Sequence, residues 1–124
     1  MKIYTTSRED YLKAVYVLSK SINKVRSIDV ANYMGFSKSS ICKAVSRLTE
    51  EGYLFTLEHG LYLTSKGKEL AKMTYEKYYF FSNQLITLGI SPKTAHEDAC
   101  KLEHAISDEA FLALKSHFAS KNID

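Results

Sequence analysis

The sequence of 124 residues contains only two cysteines, one proline and five glycines, and it has no tryptophan. Cys42 and Cys100 are far apart and form no Cys-x-x-Cys pair, which argues against a disulfide framework and is typical of a reducing cytosol. The amino-terminal segment becomes polar too early for a secretory signal, and no apolar run approaches membrane-spanning length. We therefore expect a globular cytoplasmic protein that does not associate with membranes.

Apolar residues are plentiful enough for a packed core, since 45% of the residues are hydrophobic and 12% are aromatic. A chain of this length fits one domain or two closely joined small ones. The formal net charge of +3 permits binding to nucleic acid without requiring it. The position of the cations along the chain therefore decides whether such binding is expected.

Apolar periodicity and capping residues together predict a mainly α-helical chain with six helices, which begin near residues 7, 28, 38, 65, 92 and 108. Ser27, Ser37 and Ser91 are the predicted N-caps of the second, third and fifth helices, Ser107 is predicted to open the sixth, and Gly35 is the predicted left-handed stop of the second. After the third helix, two β-prone runs at residues 53–57 and 61–63 are separated by Glu58-His59-Gly60. These runs predict a hairpin.

A short helix, a turn with glycine and a second amphipathic helix form a helix-turn-helix, and the hairpin behind it corresponds to a wing. The third helix has no acidic residue between Ser37 and Thr49. Its polar side is suited to phosphates and base edges, and the predicted DNA-contacting residues are Ser37, Lys38, Ser39, Ser40, Lys43 and Arg47. The alternative is a solvated basic helix on a helical bundle.

A second motif lies near the carboxyl end, where residues 98–104 read Asp-Ala-Cys-Lys-Leu-Glu-His. On a helix, the spacing turns Cys100, Glu103 and His104 toward one side. A thiolate, a carboxylate and an imidazole are all ligands for divalent metal ions. The alternative is an amphipathic helix with one buried cysteine and two solvated polar groups.

Several segments of the chain together resemble the diphtheria-toxin-repressor family of metal-dependent transcriptional regulators, and they are residues 7–16, 25–31, 37–45, 63–67 and 99–109. The length resembles the short, manganese-transport-regulator branch of that family. The resemblance implies a winged helix-turn-helix domain at residues 1–64 and a helical metal-binding and dimerisation domain at residues 65–124. It also implies a homodimer that binds a palindromic site in double-stranded DNA and represses metal-uptake genes.

The resemblance implies a metal site formed by Asp10 in the first helix with Cys100, Glu103 and His104 in the fifth. The soft thiolate and the hard carboxylates form a mixed ligand set, which places Fe(II) ahead of Mn(II), with zinc as a further alternative.

Two positions depart from the family pattern. Lys13 stands where the manganese branch has a second glutamate, and Tyr78 stands where it has a histidine. We expect the ammonium group of Lys13 to replace a second cation, so that each subunit binds about one divalent ion. His96 matches one ligand of an ancillary site in the iron branch, but the companion ligands would fall near Tyr78 and Ser82. The alternative is a vestigial metal site.

Two other functions remain open from the residues. A winged-helix regulator of the same fold would bind DNA without metal or would respond to an organic ligand near an aromatic cluster, which comprises Tyr75, Tyr78, Tyr79 and Phe80. This cluster is more simply explained as core. A small metalloenzyme would use Cys100, Glu103 and His104 around a Lewis-acid ion. The sequence contains no nucleophile elbow, phosphate loop or general-base motif, so we do not expect an enzyme.

Overall fold

The computed structural model describes the backbone of residues 3–123 and the side chains of residues 8–119. The elements of this part of the chain are, in order, α1 (Ile3–Leu18), α2 (Ser27–Met34), α3 (Lys38–Glu50), β1 (Leu54–Leu57), β2 (Gly60–Leu63), α4 (Ser65–Thr87), α5 (Pro92–Ala105) and α6 (Asp108–Ile123). The predicted mainly helical fold with a hairpin after the third helix is confirmed. None of the described helices combines the length and apolarity needed to cross a membrane.

The chain divides into two compact units, Met1–Lys72 and Met73–Asp124, and the division falls within α4. In the first unit, α1, α2, α3 and the hairpin share one core, whose largest members are Leu12, Val15, Val25, Val30, Ile41, Leu48, Leu54 and Leu61. The inner side of α3 is the one predicted, since Ile41, Ala44 and Leu48 are buried. The opposite side of α3 therefore faces solvent.

The predicted N-cap of α2 is wrong by one residue. Arg26 is the N-cap, and its backbone N–H donates to the Asp29 carboxylate at 2.9 Å. This bond satisfies the amide before Ser27 and lets the helix begin at Ser27 itself. Gly35 ends α2 with a φ of 72°, as predicted.

The hairpin turn is shorter than predicted. Leu57 pairs with Gly60, so only Glu58 and His59 form the turn, and both have positive φ angles of 49° and 68°. Such a two-residue turn matches the right-handed twist of the strands. Gly60 belongs to β2, where an added Cβ would lie 2.8 Å from the hydroxyl of Tyr62. The nearest atoms belong to side chains, so a side chain at this position would require Tyr62 and Lys24 to shift.

The start of α4 is tied to the end of α3 through Thr64. The Thr64 hydroxyl donates to the carbonyl oxygen of Gly52 at 2.6 Å and accepts from the Gly67 N–H at 3.1 Å. A Cβ at Gly67 would lie 2.0 Å from the carbonyl oxygen of Tyr53. Only glycine permits this approach.

The second unit contains the rest of α4 with α5 and α6. Phe111 is fully buried, and Phe80 meets its ring edge-on at 5.6 Å. The predicted N-caps are confirmed, because Ser91 accepts from the Thr94 N–H and Ser107 accepts from the Ala110 N–H. Of the predicted aromatic cluster, Phe80 packs in this core and Tyr79 is 57% exposed.

Candidate DNA interface and metal centre

All six predicted DNA-contacting residues are exposed on α3 or at its N-cap. At the N-terminus, the Ser37 hydroxyl accepts from the Ser40 N–H at 3.2 Å and donates to the Ser40 hydroxyl at 3.0 Å. The Ser39 hydroxyl lies 3.4 Å from that of Ser37. These small hydroxyl groups allow a close approach, and a helix N-terminus attracts a phosphate.

The cations of α3 extend along its exposed side. Lys43 and Arg47 are one turn apart, so they are surface neighbours about 6 Å apart along the helix axis. Arg47 lies in the last turn, where a cation also complements the helix dipole. The arrangement presents positive charge along one helix face, with hydroxyl groups at its start.

The wing differs from α3 in its chemistry. Phe55 and Tyr62 stack with their ring centroids 5.4 Å apart, and Leu57 is 59% exposed. Lys24 donates to the carbonyl oxygen of Glu58 at 3.2 Å. The wing strands thus expose apolar groups, whereas the neighbouring cations Lys43 and Arg47 are on α3.

Glu103 and His104 form a buried pair at the end of α5. Their side chains are 0% and 8% exposed, and His104 Nε2 lies 3.0 Å from Glu103 Oε2. Glu103 shares the buried side of α5 with Ala95 and Ala99. Two ligand atoms at roughly 2.1 Å from one ion, at an angle near 90°, are about 3 Å apart. The donor types therefore suit a divalent metal ion, and the separation of 3.0 Å is that of two ligands on one ion as well as that of a direct ion pair between the two side chains.

Cys100 lies on α5 one turn before this pair; it is exposed and is not part of a disulfide. The alternative prediction for this segment was an amphipathic helix with one buried cysteine and two solvated polar groups. The observed burial is the reverse, so that alternative is wrong. Glu103 is buried on the same side of α5 as Ala95 and Ala99, and the spacing of residues 98–104 alone does not reveal which side is buried.

The remaining predicted metal ligand, Asp10, is half-buried on α1 in the first unit, and Lys13 is half-buried one turn later. α1 packs against both α2 and α3. Asp10 therefore lies on the helix that supports the helix-turn-helix.

The positions of the ancillary site converge without ligands typical of a metal centre. The Tyr78 hydroxyl lies 3.0 Å from His96 Nδ1, and the Ser82 hydroxyl lies 3.3 Å from the same nitrogen. The rings of Tyr78 and His96 stack at 5.8 Å. A single imidazole with two hydroxyl groups is a weak set beside imidazoles and carboxylates. A hydrogen-bonded cluster occupies these positions.

Sequence reasoning missed Lys77, which is buried on α4. The buried residues Ala71 and Thr74 precede it at intervals of three, so the three residues share the inner side of α4. Alanine and threonine occur on both sides of helices, so the structure is needed to recognise this side as the buried one.

Two family models match the chain. The model for the iron dependent repressor, N-terminal DNA binding domain, matches residues 4–59. The model for the iron dependent repressor, metal binding and dimerisation domain, matches residues 64–120.

Individual proteins also match. The transcriptional regulator MntR of Escherichia coli is 31% identical over 108 residues, which are 86% of this chain and 70% of that protein. An uncharacterized HTH-type transcriptional regulator of Methanocaldococcus jannaschii is 37% identical over 112 residues, 88% of this chain and 90% of that protein.

Among solved structures, the manganese regulator SloR matches 90% of this chain with 31% identity and a TM-score of 0.79. A manganese-dependent transcriptional repressor in complex with manganese matches 90% with 25% identity and a TM-score of 0.80. This chain spans about half the length of these two solved chains, at 53% and 52%.

Proposed function

The chain belongs to the iron-dependent repressor family of metal-dependent transcriptional regulators, and we propose that it is a homodimeric repressor that binds DNA in response to a divalent metal ion. The observation that carries the metal part is the buried Glu103–His104 pair with its ligand atoms 3.0 Å apart. In this proposal residues 1–64 bind DNA, and residues 65–124 bind metal and form the dimer. Such a protein acts in the cytoplasm, on genes for metal uptake, and performs no catalysis.

Asp10, Cys100, Glu103 and His104 would hold the ion, whose positive charge allows anionic ligands to share one site. Fe(II) and Mn(II) are the metals we propose, because one thiolate accompanies two hard carboxylates. The position of α1, which carries Asp10, would then depend on whether the metal ion is bound. Because α1 packs against α2 and α3, a metal ion bound at Asp10 would influence the position of α3, the helix proposed to contact DNA. In such a scheme, metal binding raises the affinity for DNA, and DNA binding raises the affinity for metal by the same factor.

The DNA part of the proposal uses the exposed side of α3. Lys38, Lys43 and Arg47 would neutralise backbone phosphates, and the serines at the helix start would lie against base edges. A twofold dimer presents two such helices, which suit half-sites about one helical turn apart on a palindromic operator.

The number of ions is a finer part of the proposal. We assign about one divalent ion per subunit, because Lys13 and Tyr78 replace two anionic or imidazole ligands. The contact between Tyr78 and His96 supports this assignment, since it engages the imidazole at the ancillary position in a hydrogen bond. The same two departures favour the second candidate, a winged-helix regulator with a vestigial site that acts without metal.

Anaerobic calorimetry with Fe(II), Mn(II) and Co(II), paired with operator-binding curves with and without metal, tests the proposal. His104→Ala should abolish metal binding and the metal-dependent gain in DNA affinity together. His117→Ala is the matched control, because this histidine is exposed on α6 and should leave both quantities unchanged. DNA binding that is equally tight with and without metal in the unmodified protein would favour the vestigial site.

A further inference from the structure

Lys77 is a buried cation that is not one of the proposed metal ligands. The residue is 7% exposed, and lysine is rarely buried unless its charge is paired. Here the ammonium group has two partners. It donates to the carbonyl oxygen of Ile106 at 2.9 Å, and it lies 2.8 Å from Oδ1 of Asp108.

These two partners lie on opposite sides of the turn between α5 and α6. Ile106 is the C-cap of α5 with an extended backbone, φ −102° and ψ 141°, and Asp108 is the first residue of α6. The last carbonyl groups of a helix accept no hydrogen bond from an N–H of the same helix, so a donor from outside stabilises them. One ammonium group thus holds the whole turn 106–108 against α4.

The turn directly follows the proposed metal ligands. Ile106 comes two residues after His104, and Glu103 and His104 occupy the last turn of α5. Ligand atoms must be held within about 0.5 Å of their working geometry for tight binding. A displacement of the α5–α6 turn would be transmitted to both side chains through two residues of backbone.

We propose that Lys77 is a positioning residue for the metal centre, and that it acts by anchoring the α5–α6 turn so that Glu103 and His104 keep a ligating geometry. The inference rests on the proposed function. It assigns to Lys77 no contact with the ion.

Three substitutions separate this role from general stabilisation. Lys77→Met removes the charge and keeps most of the side-chain volume, and Lys77→Arg keeps the charge with several donors. Lys115→Met is the matched control, because Lys115 pairs with Glu76 at 3.7 Å in the same unit but its side chain is 51% exposed. Each variant is measured for Mn(II) and Co(II) affinity, for the Co(II) absorption spectrum and for the His104 ring signals in metal-free protein by NMR.

We expect Lys77→Met to weaken metal binding by about 10- to 100-fold, the usual effect of removing a residue that orients ligands. Its Co(II) spectrum and His104 signals should shift, Lys77→Arg should bind more tightly than Lys77→Met, and Lys115→Met should match the unmodified protein. Folded Lys77→Met protein with unchanged affinity, spectrum and ring signals overturns the inference.

Asp108→Asn decides the case if Lys77→Met does not fold. It removes the ion pair and retains the donor to Ile106, so it should weaken metal binding by a smaller factor and shift the His104 signals. Unchanged values in this variant overturn the inference. If the proposed function itself is wrong, the result differs, because the unmodified protein would then bind no metal ion.

Discussion

Replacing Arg47 by alanine should weaken DNA binding without changing which sequence is preferred. Arg47 is exposed in the last turn of α3, one turn beyond Lys43 on the side that faces away from the core. At that end of the helix, a cation is expected to meet backbone phosphate and to leave the base edges to residues at the helix start. The effect should therefore be similar for operator and for unrelated DNA.

The size of the effect follows from counterion release. Each phosphate contact contributes about 0.9 to the slope of log affinity against log salt, and a dimer loses two such contacts. The slope should fall by about 1.8. The ratio of the DNA affinity of the unmodified protein to that of the variant should therefore decrease by about tenfold between 50 and 200 mM salt.

Fluorescence anisotropy with labelled operator at four or more salt concentrations measures this slope. Arg47→Lys should keep it, because a lysine also neutralises one phosphate. Lys93→Ala is the control for net charge, since Lys93 is exposed at the start of α5 and should leave the slope unchanged. The loss of a cation at the end of α3 costs only about 0.3–1 kcal/mol, so the variant should remain folded. A slope equal to that of the unmodified protein would refute the placement of α3 along the DNA backbone.

Three further results are expected. In calorimetry, the double variant Lys13→Glu with Tyr78→His should bind about two ions per subunit. It should bind metal more tightly than Lys13→Glu alone, because the single change adds a carboxylate without completing the ligands of a second ion. A count that stays at one would contradict the idea that Lys13 replaces a cation. Light scattering at micromolar concentration should give a dimer, because the second unit exposes large apolar residues such as Leu88, which is 76% exposed; a monomer contradicts this. Urea unfolding should show Gly67→Ala to be less stable by about 1–3 kcal/mol, because its Cβ would overlap the carbonyl oxygen of Tyr53, and unchanged stability would mean that this contact is absent.

Much of the fold could be predicted from the sequence because it depends on neighbours along the chain. Ser37, Ser91 and Ser107 are N-caps as predicted, and in each case the bond spans three residues. The errors occurred where two local solutions compete or where a distant group intervenes. Asp29 caps Arg26 in place of a cap at Ser27, and Gly60 pairs with Leu57 on the neighbouring strand and so belongs to β2.

The candidate sites were predictable to different degrees. The cationic side of α3 follows from helical spacing once its apolar stripe is known, and the structure exposes the same residues. The ligand set stays a prediction. The spacing of Cys100, Glu103 and His104 could not distinguish the buried members from the exposed one, because burial depends on which elements cover that side of the helix.

The sequence by itself determined the order of the helices, the hairpin after the third helix and the residues capable of binding a metal, since these depend on periodicity and on residue type. Only the tertiary structure decided which polar groups lose contact with water. Glu103 is buried beside His104, Cys100 stays exposed, and Lys77 reaches the carbonyl of Ile106 across 29 residues of chain. The physical reason is that desolvation and hydrogen bonding between distant segments depend on packing, which no local pattern encodes.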